Sequence, residues 1–333
     1  MASAEAFTFS GGIVEPGETA NVRYTISETY LGEPVRVPVT IVNGEEPGPS
    51  IFLSAASHGD ELNGIEIVRE VAHEWAHDDL RGTIVCLPVL NVPAFIAQQR
   101  YLPIYDRDLN RSFPGDPEST SAKRMAHTLF TNFIEPCDIG LDFHTSTRGR
   151  SNMLHVRADM ENPDVARLAK AFASNVIIAG SGPGGSLREE ASAVGTPTIT
   201  VELGEAHRFQ RVLIDKALEG VESVFDEYGL REDSSVRWPG WRTVIESGEK
   251  TWLRADVGGL VEMHFSRGDL VEAGEPICTI TNPFKTDTTE VRAPFTGLIV
   301  GVLENPVVFP GNPLCHVVEL DAQTRRAYEQ SQR

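Results

Sequence analysis

From Ser50 onward the chain alternates between two apolar patterns. Short unbroken runs at Ile51-Phe52-Leu53-Ser54-Ala55-Ala56, Thr83 to Leu87, Asp138 to Phe143 and Thr198 to Leu203 predict strands buried on both faces. Between them apolar residues recur with helical spacing at 64 to 77, where Ile65, Val68, Val71, Ala72 and Trp75 share a face, and at 120 to 134, 164 to 173 and 208 to 228. Strands alternating with helices imply a mainly parallel sheet with helices packed on it. Ahead of this body, residues 21 to 43 alternate apolar and polar positions on either side of Leu31-Gly32-Glu33-Pro34, as an antiparallel pair at a sheet edge does.

After Gly229 the pattern changes. The chain is charged and loop-like through Asp233-Ser234-Ser235. From Thr251 only short strand-like runs remain, punctuated by Gly258-Gly259, Arg267-Gly268-Asp269, Ala273-Gly274 and Pro310-Gly311. A boundary is expected at residues 230 to 245. The expected fold is therefore α/β: residues 1–235 hold a mixed, mainly parallel central sheet flanked by helices, and residues 236–333 a small all-β barrel or sandwich.

With 333 residues, 41% of them hydrophobic, the chain can bury one large core and a smaller one. Its 29 basic and 48 acidic residues give a net charge of -19, which argues against a nucleic-acid backbone or an anionic membrane surface as partner. No apolar run approaches the roughly 18 residues of a membrane helix, and Met1 to Gly12 have neither the basic nor the apolar region of a signal peptide, so the expected location is the cytoplasm. Cys86, Cys137, Cys278 and Cys315 are scattered through apolar stretches and read as buried free thiols. A homo-oligomer is compatible with all of this.

Candidate chemistry gathers where the predicted strands end. Ser57-His58-Gly59-Asp60-Glu61 follows the first buried strand, at the carboxyl edge where ligands of α/β sheets bind. His58 and Glu61 are spaced so that an imidazole and a carboxylate can reach one ion, although such a pair alone is better explained by surface or capping roles. His144 ends the strand at Ile139 to Phe143 and supplies a third candidate. Two histidines, a glutamate and a fourth position left for water make the ligand set of a catalytic zinc site. Glu202 ends the run Thr198-Ile199-Thr200-Val201 and is either a general base or an ordinary strand-end charge. In Arg107-Asp108-Leu109-Asn110-Arg111-Ser112 the amide of Asn110 and the guanidinium of Arg111 suit a carboxylate clamp. Arg100 and Arg107 are equal candidates for stabilising a developing oxyanion.

Taken in order, His58-Gly59-Asp60-Glu61, Asp108-Leu109-Asn110-Arg111-Ser112-Phe113-Pro114-Gly115, Asp142-Phe143-His144-Thr145-Ser146 and Thr200-Val201-Glu202-Leu203-Gly204-Glu205 resemble the succinylglutamate desuccinylase and aspartoacylase family, relatives of the zinc carboxypeptidases, over about residues 50 to 230. The resemblance implies one zinc ion per chain on His58, Glu61 and His144, Glu202 as the general base and acid, and Asn110 and Arg111 on a substrate carboxylate. It favours Arg100, next to Tyr101, as the oxyanion group. The implied activity is hydrolysis of the amide of an N-acylated amino acid. A carboxypeptidase acting on small peptides would use the same residues, and a non-catalytic zinc sensor or carrier would have no need of Glu202. The C-terminal cadence Gly268-Asp269-Leu270-Val271 and Glu290-Val291-Arg292-Ala293-Pro294 is similar to that of biotinyl and lipoyl carrier domains. Lys285 lacks the neighbours of a modified lysine, so this part is expected to shape the pocket mouth or an oligomer contact.

Overall fold

The computed structural model describes residues 4–75, 77–103, 105–172, 174–231, 243–245, 248–284 and 288–331. A small hairpin of β1 (Phe7–Phe9) and β2 (Gly12–Val14) leads to β3 (Thr19–Glu28) and β4 (Pro34–Asn43), which pair antiparallel around the expected turn and put β3 at the edge of the main sheet. The unbroken apolar runs become β5 (Glu46–Ala55), β6 (Arg81–Leu87) and β7 (Ile139–Ser146). β8 (Arg150–Ala158) and β9 (Val176–Ala179) follow, and then β10 (Thr198–Glu205). The strands β6, β5, β7 and β10 lie side by side and parallel, as their double-sided burial requires.

Helices cover both faces of this parallel centre. On one face α1 (Asn63–His73), α4 (Pro163–Ala171) and α6 (Arg211–Tyr228) close a core around Ile67, Val68, Phe172 and Phe225. On the other, α3 (Ser121–Leu129) and α5 (Leu187–Ala193) pack over Phe52, Leu87 and Phe133, while the short α2 (Val92–Ile96) sits at the strand ends. α1 stops at His73, earlier than its apolar spacing predicts, and Trp75 packs edge-on against Phe225 at 5.6 Å from beyond the helix. α1 lies close on the sheet because Gly64 has no side chain: a Cβ there would stand 2.6 Å from that of Phe143.

Elements that the pattern does not predict have a physical reason. β8 carries Ser151, Asn152 and His155 as buried polar residues and turns Arg150, Asn152 and Arg157 to a polar cavity, so its apolar alternation is lost. It runs antiparallel to β10 on one side and to β17 (Gly297–Leu303) on the other.

The C-terminal strands are β11 (Thr243–Ile245), β12 (Lys250–Arg254), β13 (Gly259–Met263), β14 (Leu270–Val271), β15 (Pro276–Thr281), β16 (Thr288–Arg292), β17 (Gly297–Leu303), β18 (Val307–Val308) and β19 (Pro313–Glu319), followed by α7 (Ala322–Ser331). The antiparallel sheet β16-β15-β13-β18 packs against β12, β19 and β17, which themselves continue the main sheet beyond β8. Of the boundary expected at 230 to 245, residues 232–242 lie outside the described residues, as does Lys285. Among the described residues no helix is long and apolar enough to cross a membrane, and the four cysteines are free and buried.

Candidate active site

Where β5 ends, the backbone turns at Ala56 (φ 50°) and delivers His58 and Glu61 before α1 begins. Gly59 is required by a close approach: a Cβ there would lie 2.0 Å from the carbonyl carbon of Ala94 in α2. β7 pairs with β5 in a register that sets Phe143 against Ala55, so His144 projects just past the end of β5.

The three expected ligands converge. His58 Nδ1 lies 2.9 Å from Glu61 Oε1 and His144 Nδ1 lies 2.9 Å from Glu61 Oε2, with one ligand atom from each residue inside a 4.8 Å cluster. All three are buried. His58 Nδ1 makes no hydrogen bond despite its short distance to Glu61, so this buried atom is left without a partner. The opposite ring nitrogens are occupied: His58 Nε2 is 3.2 Å from Asp108 Oδ1, and His144 Nε2 is 2.8 Å from Asp142 Oδ2. Asp142 in turn accepts a hydrogen bond from Ser54 Oγ at 2.8 Å. Carboxylates on the far nitrogens hold each imidazole with Nδ1 inward, which is how metal-binding histidines are oriented, and the donor set N, O, N could hold a metal ion.

The electrostatics of the cluster are strong. Burial opposes charging of His58 and His144, but Glu61 with Asp108, and Asp142 with Glu61, outweigh it and raise both pKa values, that of His144 well above the usual range. Burial likewise opposes ionisation of Glu61, yet the two histidines hold its pKa well below the ordinary carboxylate value. A metal arriving here must displace protons from the imidazoles.

Glu202 sits on β10 directly beside His144 in register. Asn152 Nδ2 donates to Glu202 Oε2 at 2.9 Å and Arg157 Nε lies 3.4 Å from Oε1, so both carboxylate oxygens are held from β8. Arg100 Nη1 donates to Glu61 Oε1 at 2.7 Å, at the ligand cluster. Asn110 Oδ1 accepts from the Leu187 amide at 2.8 Å, and its Nδ2 faces His144 Nε2 at 3.4 Å. His58, Glu61, His144, Glu202, Arg100, Asn110 and Arg111 all line one cavity of about 350 Å³. Arg107 is exposed and does not line it, which separates two arginines that spacing leaves equal.

Further residues line the cavity or back it that the sequence reading did not single out. Asp142 had a signal, since a residue two before His144 on a strand shares its face. Arg150, Arg157, Arg188 and Trp252 had none: three belong to β8 and α5, and Trp252 comes from the C-terminal strand β12. Arg188 is only 7% exposed, and its Nη1 has no hydrogen-bond partner. Burial, reinforced by Arg157, pushes its pKa down to about 10. In a chain of net charge -19, this cavity is lined by five arginines and two glutamates.

Comparison with known proteins gives the family. The family model described as the succinylglutamate desuccinylase/aspartoacylase catalytic domain matches residues 47–228. An N-alpha-acetyl-L-2,4-diaminobutyric acid deacetylase from Halomonas elongata is 28% identical over 273 residues, covering 78% of this chain and 78% of its own. A succinylglutamate desuccinylase from Serratia proteamaculans is 26% identical over 209 residues, 56% of this chain and 63% of its own. Among solved structures, the product-bound ectoine utilization protein EutE from Ruegeria pomeroyi superposes with a TM-score of 0.82 at 22% identity, over 92% of this chain and 97% of that one. A succinylglutamate desuccinylase/aspartoacylase from Rhodobacter sphaeroides gives 0.79 at 23% identity, over 91% and 95%.

Proposed function

Because the chain belongs to the succinylglutamate desuccinylase/aspartoacylase family, we propose that it hydrolyses the amide bond of an N-acylated amino acid, with one zinc ion held by His58, Glu61 and His144. The observation that carries this reading is the buried cluster of three ligands, each imidazole backed by its own carboxylate, with Glu202 in register next to His144. Zinc, when bound, supplies Lewis acidity toward the amide carbonyl and lowers the pKa of a coordinated water to about 7.

The chain's own groups do the rest. Glu202 takes the proton of the attacking water, and Asn152 and Arg157 keep its two oxygens in place. Arg100 carries five N–H donors in one plane. With Nη1 on Glu61, others remain for the oxygen that gains charge as the carbonyl becomes tetrahedral. When the C–N bond breaks, Glu202 returns its proton to the departing amine nitrogen, so the products are a carboxylate and a free amino group. Asn110 and Arg111 hold the carboxylate of the amino acid, the amide through Nδ2, since Oδ1 is engaged by Leu187.

The test is a panel of acetyl-, succinyl- and peptidyl-amino acids assayed side by side with the zinc-loaded protein. Hydrolysis of N-acyl amino acids is the expected result. Turnover of peptides alone would replace this reading by a carboxypeptidase, and no turnover by a binding protein.

A further inference from the structure

We propose that Asp108 is a positioning residue that joins the metal ligands to the carboxylate clamp, so that binding of the ion and binding of a substrate carboxylate strengthen each other. The inference rests on the reading above, in which His58, Glu61 and His144 hold zinc and Asn110 and Arg111 hold the amino-acid carboxylate.

One oxygen serves both halves. Asp108 Oδ1 lies 3.2 Å from His58 Nε2 and accepts the Asn110 amide at 2.9 Å. Asn110 and Arg111 belong to the single helical turn Leu109–Arg111, and Asp108 is the residue that caps it. The carbonyl of Asp108 accepts from the Arg111 amide at 3.2 Å and from Ser112 Oγ at 2.9 Å. Both clamp residues are therefore tied to Asp108, and Asp108 is tied to a ligand. Arg100 and Arg111 flank its carboxylate as well.

The two carboxylates that back the imidazoles differ in where they lead. Behind His144, Asp142 accepts from Ser54 Oγ of β5, so that chain of bonds ends in the sheet. Behind His58 the chain ends in Asn110 and Arg111, which line the cavity. A second tie runs alongside it, since Asn110 Nδ2 faces His144 Nε2 at 3.4 Å while its Oδ1 accepts from the Leu187 amide at 2.8 Å.

The packing explains why this tie transmits. Leu109 is fully buried, which anchors the apolar side of the turn in the core and leaves its polar side to Asp108. His58 Nδ1 has no hydrogen-bond partner, so hydrogen bonding holds the ring only at Nε2. An ion on Nδ1 fixes the ring from its other side. The ring then fixes Asp108 Oδ1, and that oxygen fixes the amide of Asn110. Linkage runs both ways: a carboxylate that settles Asn110 and Arg111 settles Asp108 and His58, and raises affinity for the ion by the same factor.

The first experiment measures amide hydrogen exchange in zinc-free and zinc-loaded protein, without substrate. Zinc should slow exchange at Asn110 and Leu187 by at least about fivefold in wild type. Asp142→Asn, brought to full zinc occupancy, should keep this slowing. Asp108→Ala at full occupancy should lose it, and Asp108→Asn, whose amide oxygen still accepts from Asn110 and His58, should recover most of it. A purely structural cap would change exchange equally with and without the ion. Exchange at 110 and 187 that ignores zinc in wild type overturns the proposal before any variant is made, as does undiminished slowing in Asp108→Ala.

The second experiment measures zinc affinity by chelator competition in Glu202→Gln, where turnover is blocked, with and without the N-acyl amino acid that wild type hydrolyses fastest. The ligand should tighten zinc binding by at least about fivefold, and adding Asp108→Ala should remove most of that gain. An undiminished gain overturns the coupling. If wild type takes up zinc but hydrolyses nothing in the panel, the hydrolytic reading falls and the exchange experiment alone decides. If it takes up no zinc, the reading and the coupling fall together.

Discussion

The two sides of the cavity are built differently. On β5, β7 and β10 the polar groups stand at the carboxyl ends of parallel strands and are held by further polar groups: His58 by Asp108, His144 by Asp142, Glu202 by Asn152. On β8 and β12 the strands are antiparallel, and Arg150 rests on an aromatic ring with no carboxylate beside it. The first side is satisfied internally, which fixes geometry and suits it to chemistry. The second carries charge still to be neutralised, which suits it to choosing a ligand.

The largest test of this contrast is on the first side. Asp142→Asn should weaken zinc binding by about 10- to 100-fold in a chelator competition, because His144 loses the carboxylate that orients it. Arg150→Ala should leave that affinity within about twofold, since it touches no ligand; a loss as large as that of Asp142→Asn would erase the distinction.

A smaller effect is expected where the two sides meet. A Cβ on Gly301 of β17 would stand 2.5 Å from Asn152 Oδ1 and 3.5 Å from the Trp252 ring. Gly301→Ala should therefore push Asn152 off Glu202 and lower kcat about tenfold with zinc content unchanged. An unaltered kcat would show that Glu202 does not depend on this support.

The smallest effect concerns stability. Burial first, then Arg157 and Lys250, push the pKa of His316 down to about 3. The folded protein keeps this ring neutral while the unfolded chain takes up a proton below about 6.5, so its contribution is complete above that pH and lost as pH falls toward 3. Unfolding free energies from denaturant titrations should accordingly fall more steeply in wild type than in His316→Phe, by up to about 1.4 kcal/mol per pH unit in this window. Parallel pH dependences would place the ring in a more solvated setting than its stack on Trp252 implies.

The same division governs what could be read from the sequence. Strands buried on both faces write their apolar runs plainly, and the motifs at their ends locate His58, Glu61, His144 and Glu202 without coordinates. β8 is illegible because Arg150, Asn152 and Arg157 face a polar cavity and Ser151 and His155 are buried polar residues, which together break the alternation. Trp252 reaches the site only because β17 pairs with β8 and carries the C-terminal strands alongside, a contact no local pattern encodes. Gly59 was visible, but its cause, the backbone of Ala94, was not.

The central claim is that Glu202 acts on a substrate at an ion held by the other three residues. Its most direct test measures zinc per chain and N-acyl amino acid hydrolysis together in wild type and Glu202→Gln. The account predicts one zinc in both proteins and a loss of kcat of at least about 100-fold in the variant. Wild-type turnover in Glu202→Gln, or full turnover by wild-type protein that holds no zinc, would contradict it.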